Sequence, residues 1–171
     1  MKNQLLAISM AIFSFTCIQA QEGFKIEIQG GLPFNDYNND VSLALGLDVG
    51  YMRAINEIFD LGATVGYIHG IPETFHSEVI LTDLPSIQFV PLAGSVRIWP
   101  TRDFSFGIDA GHALGLNDGN EGGLYYRPTI GFLFGTSTEI NLSYTSIGVG
   151  DRDWTTVTLG IEYTFLNDRF N

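Results

Sequence analysis

Residues 156–165 alternate without a break. Val157, Leu159, Ile161, Tyr163 and Phe165 are apolar, and Thr156, Thr158, Gly160, Glu162 and Thr164 between them are small or polar. A period of two belongs to an extended strand, whose side chains leave opposite faces in turn. A helix built on this stretch would scatter the same apolar residues around its circumference. The chain must therefore fold into strands that keep one apolar face together and one polar face together.

Seven earlier segments repeat the pattern. In 24–31, Phe24, Ile26 and Ile28 oppose Lys25, Glu27 and Gln29. In 41–51, Val41, Leu43, Leu45, Leu47, Val49 and Tyr51 oppose Ser42, Ala44, Gly46, Asp48 and Gly50. In 59–67, Phe59, Leu61, Ala63, Val65 and Tyr67 oppose Asp60, Gly62, Thr64 and Gly66. The segment 87–99 sets Val90, Leu92, Val96 and Ile98 against Ser95 and Arg97, and Pro91, which has no N–H to donate, predicts a local bulge or an edge-like defect there. In 104–111, Phe104, Phe106, Ile108 and Ala110 oppose Ser105, Gly107, Asp109 and Gly111. In 124–134, Tyr126, Ile130, Phe132 and Phe134 oppose Arg127, Thr129 and Gly131, and in 139–145, Ile140, Leu142 and Tyr144 oppose Asn141 and Ser143.

Connections after the second, fourth and sixth segments are short. Those after the first, third, fifth and seventh are longer, the last spanning 146–153. Eight strands joined by alternating short and long connections predict an all-β fold, an eight-stranded antiparallel up-and-down transmembrane β-barrel. A soluble lipocalin-like barrel binding an apolar ligand has the same alternation with its apolar face inward. Composition separates the two. A water-exposed sheet face carries long polar side chains, and glycine is depleted in ordinary strands. Here the second face holds Gly46, Gly50, Gly62, Gly66, Gly107, Gly111, Gly131 and Gly160. Small residues mixed with a few charges suit the narrow interior of an eight-stranded barrel, which has room only for side chains. Aromatic residues gather at two levels, Tyr51, Phe59, Phe104, Phe134 and Phe165 at one and Tyr67, Tyr126, Tyr144 and Trp154 at the other, as interfacial girdles would.

The N-terminus adds a compartment. Lys2, the apolar run 5–18 and Gln19-Ala20 read as a signal peptide, residues 1–20, too short to span a bilayer. Cleavage after Ala20 removes Cys17 and leaves residues 21–171 as one barrel domain without cysteine, so no disulfide framework is available. Lys25 is then the only lysine, and acidic residues outnumber basic ones 19 to 8 in the whole chain. That balance excludes the basic footprint of a nucleic-acid binder.

Thr158, Gly160, Tyr163 and Phe165 stand at the spacing of the C-terminal insertion signal of outer-membrane barrels, although residues 166–171 follow where such chains usually stop. With the strand count, the loop asymmetry and the stretch 89–97, the mature chain resembles the small outer-membrane barrels of the OmpA transmembrane-domain and OmpX type. The resemblance implies location in the bacterial outer membrane, contact with its lipid and lipopolysaccharide, assembly by the barrel-insertion machinery and a loop partner of unknown identity. Members of that superfamily include structural barrels, adhesion proteins and lipid A-modifying enzymes, and fold does not choose among them.

Inward charges are expected at Lys25, Glu27, Asp48, Asp60, Arg97, Asp109, Arg127 and Glu162, paired across the lumen because a lone buried charge is costly. Glu27, Asp60, Arg97 and Glu162 fall in the lower half, Asp109 and Arg127 higher. The expected role is a polar plug rather than an ion filter. His69, His76 and His112 fall near the loop end, with Ser77, Glu73, Glu78 and Glu121 in neighbouring loops. No spacing among them defines a triad or a metal site, so no catalytic residue, cofactor or metal is expected. The acidic loop residues Asp36, Asp40, Asp83, Asp118, Asp151 and Asp153 read as a solvated rim. The leading function is a non-enzymatic envelope barrel, and the alternative is a lipid A acyl hydrolase or acyltransferase with His112 as its base.

Overall fold

The computed structural model describes residues 23–37, 39–72, 74–76, 81–83, 86–117 and 119–166. The expected signal peptide, Ser77 and the tail after Leu166 lie outside them. Among the described residues ten strands form: β1 (Gly23–Phe34), β2 (Val41–Ala54), β3 (Phe59–Pro72), β4 (Thr74–His76), β5 (Leu81–Asp83), β6 (Ile87–Ile98), β7 (Phe104–Gly115), β8 (Gly123–Phe134), β9 (Thr138–Val149) and β10 (Arg152–Leu166). Eight of them close into an antiparallel barrel in the order β1-β10-β9-β8-β7-β6-β3-β2, and β4 and β5 pair as a separate hairpin in the β3–β6 connection.

Closure follows from the pattern. An apolar outer face leaves no water to satisfy a free sheet edge, so every strand must find two neighbours. Register fixes the shape. Starting at Phe24, partners run through Tyr51, Ala63, Gly94, Ala110, Tyr126, Ser146 and Thr155, then return to β1 at Phe34, ten residues further on. A ten-residue stagger over eight strands corresponds to a tilt of about 40°, so each step to the next strand climbs roughly 3 Å along the axis.

The outer face is apolar from end to end: Ile28, Leu47, Val65, Leu92, Ile108, Ile130, Leu142 and Leu159 all project outward. Aromatic pairs ring the end where β1 begins and β10 finishes, with centroids 5.0 Å apart for Phe24 and Tyr51, 5.0 Å for Phe104 and Phe106, and 4.9 Å for Tyr163 and Phe165. Tyr126 and Tyr144 pair at 6.3 Å nearer the other end.

Two local expectations fail and a third is decided between its alternatives, each for a backbone reason. The β2–β3 ladder shifts by one residue between Val41 and Leu43, and this bulge turns Val41 inward and leaves Ser42 exposed. At Pro91 the edge-like defect forms and not a bulge: β3–β6 pairing lapses between Val65–Leu92 and Ile68–Phe89 while the register continues unchanged. The proline therefore removes a donor without displacing its neighbours. The long connection read at 146–153 shrinks to residues 150–151, because β9 and β10 run on to a tight turn in which Gly150 takes a φ of 59°.

Leu159 is 61 % exposed at mid-height on the outer face, and Leu124 is 71 % exposed close to the loop end. Leu159→Arg should weaken folding into phospholipid vesicles by about 2–4 kcal/mol, and Leu124→Arg by no more than about 1 kcal/mol. Equal costs in a urea titration of the folded barrel would refute a hydrocarbon-facing belt.

Candidate functional site

The lumen gathers buried charges, and all eight barrel strands contribute. Its hub is Arg127 on β8. Its Nε and Nη2 donate to Asp109 Oδ2 at 3.0 and 2.8 Å, its Nη1 to Asp48 Oδ2 at 2.8 Å, and its Nη2 to Glu27 Oε2 at 3.1 Å. Asp109 is its cross-strand partner on β7, whereas Glu27 and Asp48 reach it from β1 and β2 across the lumen. Asn141 of β9 donates to Glu27 Oε1 at 3.0 Å, and Gln29 donates to Asp48 Oδ2 at 2.6 Å.

A second tier lies toward the terminal end. Arg97 Nη1 donates to Glu139 Oε1 at 2.8 Å and to Glu162 Oε1 at 3.0 Å, and Lys25 Nζ donates to Glu162 Oε2 at 2.9 Å. Asp60 accepts from Trp99 Nε1 at 2.6 Å. Every one of these side chains is buried. The structure thus brings together Glu27, Asp48, Asp109 and Arg127 in one cluster and Arg97 and Glu162 in another. Glu27 is the cross-strand partner of Glu162, and its carboxylate reaches the hub at Arg127.

Sequence reading missed Glu139 because it is the second residue of β9, beside the turn-forming Thr136, Ser137 and Thr138. Parity was the available signal, since Glu139 stands two residues before the inward Asn141. Trp154 was also misplaced. It is fully buried in the lumen instead of belonging to an outer girdle, because β10 begins at Arg152 and puts Trp154 in phase with Thr156 and Thr158.

Both ends of the lumen are packed shut. Trp99 and Leu133 fill the terminal end, against the half-buried Ile58. The loop end is closed by Tyr37, Val41, Ile68, Phe89, Tyr125, Ile147 and Trp154, with ring centroids 5.5 Å apart for Tyr37 and Trp154 and 5.4 Å for Phe89 and Trp154. Arg152 clamps this lid. Its guanidinium lies 4.0 Å from the Tyr37 ring centre, donates to Asp40 Oδ2 at 2.6 Å and bonds the Asp36 carbonyl. Burial pushes the Tyr37 phenol above its ordinary pKa, and the neighbouring Arg152 pulls it the other way. Between lid and hub, Gln29, Thr145, Thr156 and Thr158 border a cavity of about 10 Å³, the room of a single water.

The insertion-signal residues divide by face. Thr158 and Gly160 point inward, Thr158 meeting Ser143 and Gln29, whereas Tyr163 and Phe165 point outward. His69 and His112 do not converge. Tyr67 and His69 pair on the outer face of β3, with Oη and Nδ1 3.4 Å apart, and His112 stands outward on β7 between Leu92 and Leu124. Among the described residues no group of three or more His, Cys, Asp or Glu side chains is placed to hold a metal ion.

No protein-family model matches the chain, and no curated protein matches it in sequence. Solved structures do match. The outer membrane protein Ail of Yersinia pestis in a phospholipid bilayer nanodisc superposes with a TM-score of 0.58 at 17% identity, covering 85% of this chain and 100% of that one. The crystal structure of Ail, the attachment invasion locus protein of the same organism, gives 0.59 at 14% identity over 86% and 100%. Neisserial surface protein A gives 0.52 at 11% identity over 86% and 100%. The fold is that of a small outer-membrane β-barrel. At these identities the likeness extends to the fold alone, and the lumen network belongs to this chain's own residues.

Replacing Arg127 with Leu strands three buried carboxylates and should cost about 3–5 kcal/mol of folding free energy. The exposed Arg152–Asp40 pair is worth under about 1 kcal/mol, so Arg152→Gln should unfold close to wild type in the same urea titration. Comparable losses in the two variants would contradict the hub assignment.

Proposed function

We propose that the chain is a non-enzymatic integral β-barrel of the bacterial outer membrane, serving the envelope as a structural element and presenting its loops as an interaction surface. The observation that carries this reading is the inverted polarity of the fold, an apolar belt outside and an ion-paired, sealed lumen inside. The belt asks for hydrocarbon, and the seals leave the lumen charges nothing to conduct. Three cations, Lys25, Arg97 and Arg127, face six carboxylates, Glu27, Asp48, Asp60, Asp109, Glu139 and Glu162, in a plug that occupies its own channel.

In this reading the signal peptide is cleaved after Ala20, the terminal end faces the periplasm, and the connections at the opposite end face outward. Tyr163 and Phe165 offer an outward aromatic pair to the insertion machinery. The outward loops are the parts free to meet a partner, and attachment and surface roles named for Ail and the Neisserial protein are consistent with that. A lipid A hydrolase or acyltransferase would need an acid and a nucleophile beside His112. Its cross-strand neighbours are leucines, which activate nothing.

The test is made in cells. The protein should fractionate with outer membranes and migrate differently in detergent gels before and after heating. Planar bilayers containing it should show no stable conductance steps. Lipid A extracted from overproducing cells should keep its acyl pattern, and acyl chains gained or lost in a way that His112→Ala abolishes would establish the enzymatic reading instead.

A further inference from the structure

Four carboxylates stand in one row of the ladder. Asp48 on β2 is directly across from Glu27 on β1, Glu27 from Glu162 on β10, and Glu162 from Glu139 on β9. All four side chains are buried in the lumen. Like charges directly opposite one another destabilise a sheet, and burial strengthens the repulsion. The cations of the lumen, Lys25, Arg97 and Arg127, are too few to neutralise this row together with Asp60 and Asp109.

The row is not served evenly. Glu162 receives Arg97 on Oε1 and Lys25 on Oε2, and Glu27 receives Asn141 on Oε1 and Arg127 on Oε2. Asp48 Oδ2 accepts from both Arg127 and Gln29. Glu139 holds the poorest place. Its Oε1 accepts from Arg97 Nη1, which it shares with Glu162. Its Oε2 is buried and meets no donor among the described residues, and Ser105 Oγ on β7 is equally without a partner. Gly131 on β8 lets these two side chains approach: a Cβ there would lie 2.0 Å from Glu139 Oε1 and 2.5 Å from Ser105 Oγ. The charged groups acting on Glu139 are Arg97 from β6, Glu162 from β10 and Lys25 from β1. Leu133 of β8 is its apolar cross-strand neighbour, and Asp60 of β3, the partner of Arg97, is held by Trp99.

We propose that Glu139 is a proton-binding site: the folded lumen keeps its Oε2 protonated at neutral pH, with Ser105 Oγ as acceptor, and the chain takes this proton from water as the barrel closes. Two carboxylates held side by side relieve their repulsion by keeping one proton between them. A proton on Oε2 leaves Oε1 accepting from Arg97, so the network keeps its shape. It turns an unpartnered acceptor into a donor, gives Ser105 a partner and removes one of the two charges facing each other across β9 and β10. Room decides against a sodium ion or a bridging water as the neutralising group. The space beside Gly131 does not admit even a Cβ, and the cavity bordered by Gln29, Thr145, Thr156 and Thr158 lies between lid and hub instead. In the unfolded chain the Glu139 carboxyl is ionised above about pH 5. The folded state therefore binds one more proton than the unfolded one, and stability falls as pH rises, until the folded carboxyl ionises as well.

The experiment compares wild type with Glu139→Gln, whose amide imitates the protonated acid, by urea titration of the barrel folded in phospholipid vesicles. Between about pH 6 and about pH 7 the folding constant of wild type should fall about tenfold relative to that of the variant. His69 and His112 are common to both proteins and cancel in the comparison. Infrared spectra of folded wild type at neutral pH should show the carbonyl stretch of a protonated carboxylic acid, absent from Glu139→Gln. Ser105→Ala removes the acceptor and should move that band to the position of a free acid, which reads the site even where Glu139→Gln does not fold. Parallel pH profiles, or no acid band in wild type, overturn the proposal. A band that survives in Glu139→Gln and disappears in Asp48→Asn puts the proton elsewhere in the row and overturns the assignment to Glu139. Stabilisation by sodium chloride over choline chloride at equal ionic strength, lost in Glu139→Gln, overturns it in favour of a metal cation. The band is read in detergent as well as in vesicles, which keeps the proposal separate from the membrane reading. A barrel that shows the band in detergent yet does not insert into vesicles refutes the membrane reading alone.

Discussion

Arg127 holds the barrel across its own axis. Strands β7 and β8 are neighbours, as are β1 and β2, but nothing in the ladder joins one pair to the other except the long way round the circumference. The guanidinium spans that gap, with Asp109 on one side and Glu27 and Asp48 on the other. Arg97 does the same from β6 to β9 and β10. The cost of stripping water from these groups is repaid only with excellent geometry, and that requirement dictates what else the inner face contains.

It explains the glycines. A Cβ on Gly66 would lie 1.9 Å from Asp48 Oδ1, one on Gly160 would lie 2.4 Å from Glu27 Oε1, and one on Gly131 would lie 2.0 Å from Glu139 Oε1. Each glycine clears room for a carboxylate that an arginine is holding. Its usual penalty in a strand is offset because the lumen cannot fit two side chains and an ion pair in one layer. The glycine-rich face and the charge network are one packing solution. The lid follows the same rule: Gly70 would place a Cβ 2.6 Å from the Trp154 indole, so a bare backbone there admits the ring that closes the loop end.

Much of this was legible in the alternation. Parity placed Asp48, Asp60, Arg97, Asp109, Arg127 and Glu162 on the inner face, and glycine at Gly46, Gly66 and Gly131 gave the orientation. What escaped reading lies where parity has no anchor. Ser42 is the extra residue of a bulge, and nothing in Asp40-Val41-Ser42-Leu43 announces that the count slips there. Glu139 and Trp154 sit at strand ends beside turn-forming residues, where a one-residue error in the boundary reverses the face. The pairing partners were beyond reach for another reason. Which carboxylate meets Arg127 depends on the ten-residue stagger, a property of the closed ladder and not of any one strand.

A polar lumen has a use beyond filling space. Buried ion pairs are frequently no more stabilising than apolar side chains of equal volume, so stability alone would permit an inner face of leucine and valine. Such a barrel would be apolar on both faces. A one-residue slip, which exchanges the faces of a strand, would then leave it as content in hydrocarbon as before. With Arg127 inside, the same slip of β8 presents a guanidinium to the lipid at about 2–4 kcal/mol near mid-height and abandons three carboxylates in the lumen. Arg97 imposes the equivalent penalty on β6, and Glu27 and Asp48 lose their cation if β1 or β2 moves. Polarity inside therefore makes the two faces unequal, and that inequality selects one register and one stagger from the set that backbone hydrogen bonding alone would accept.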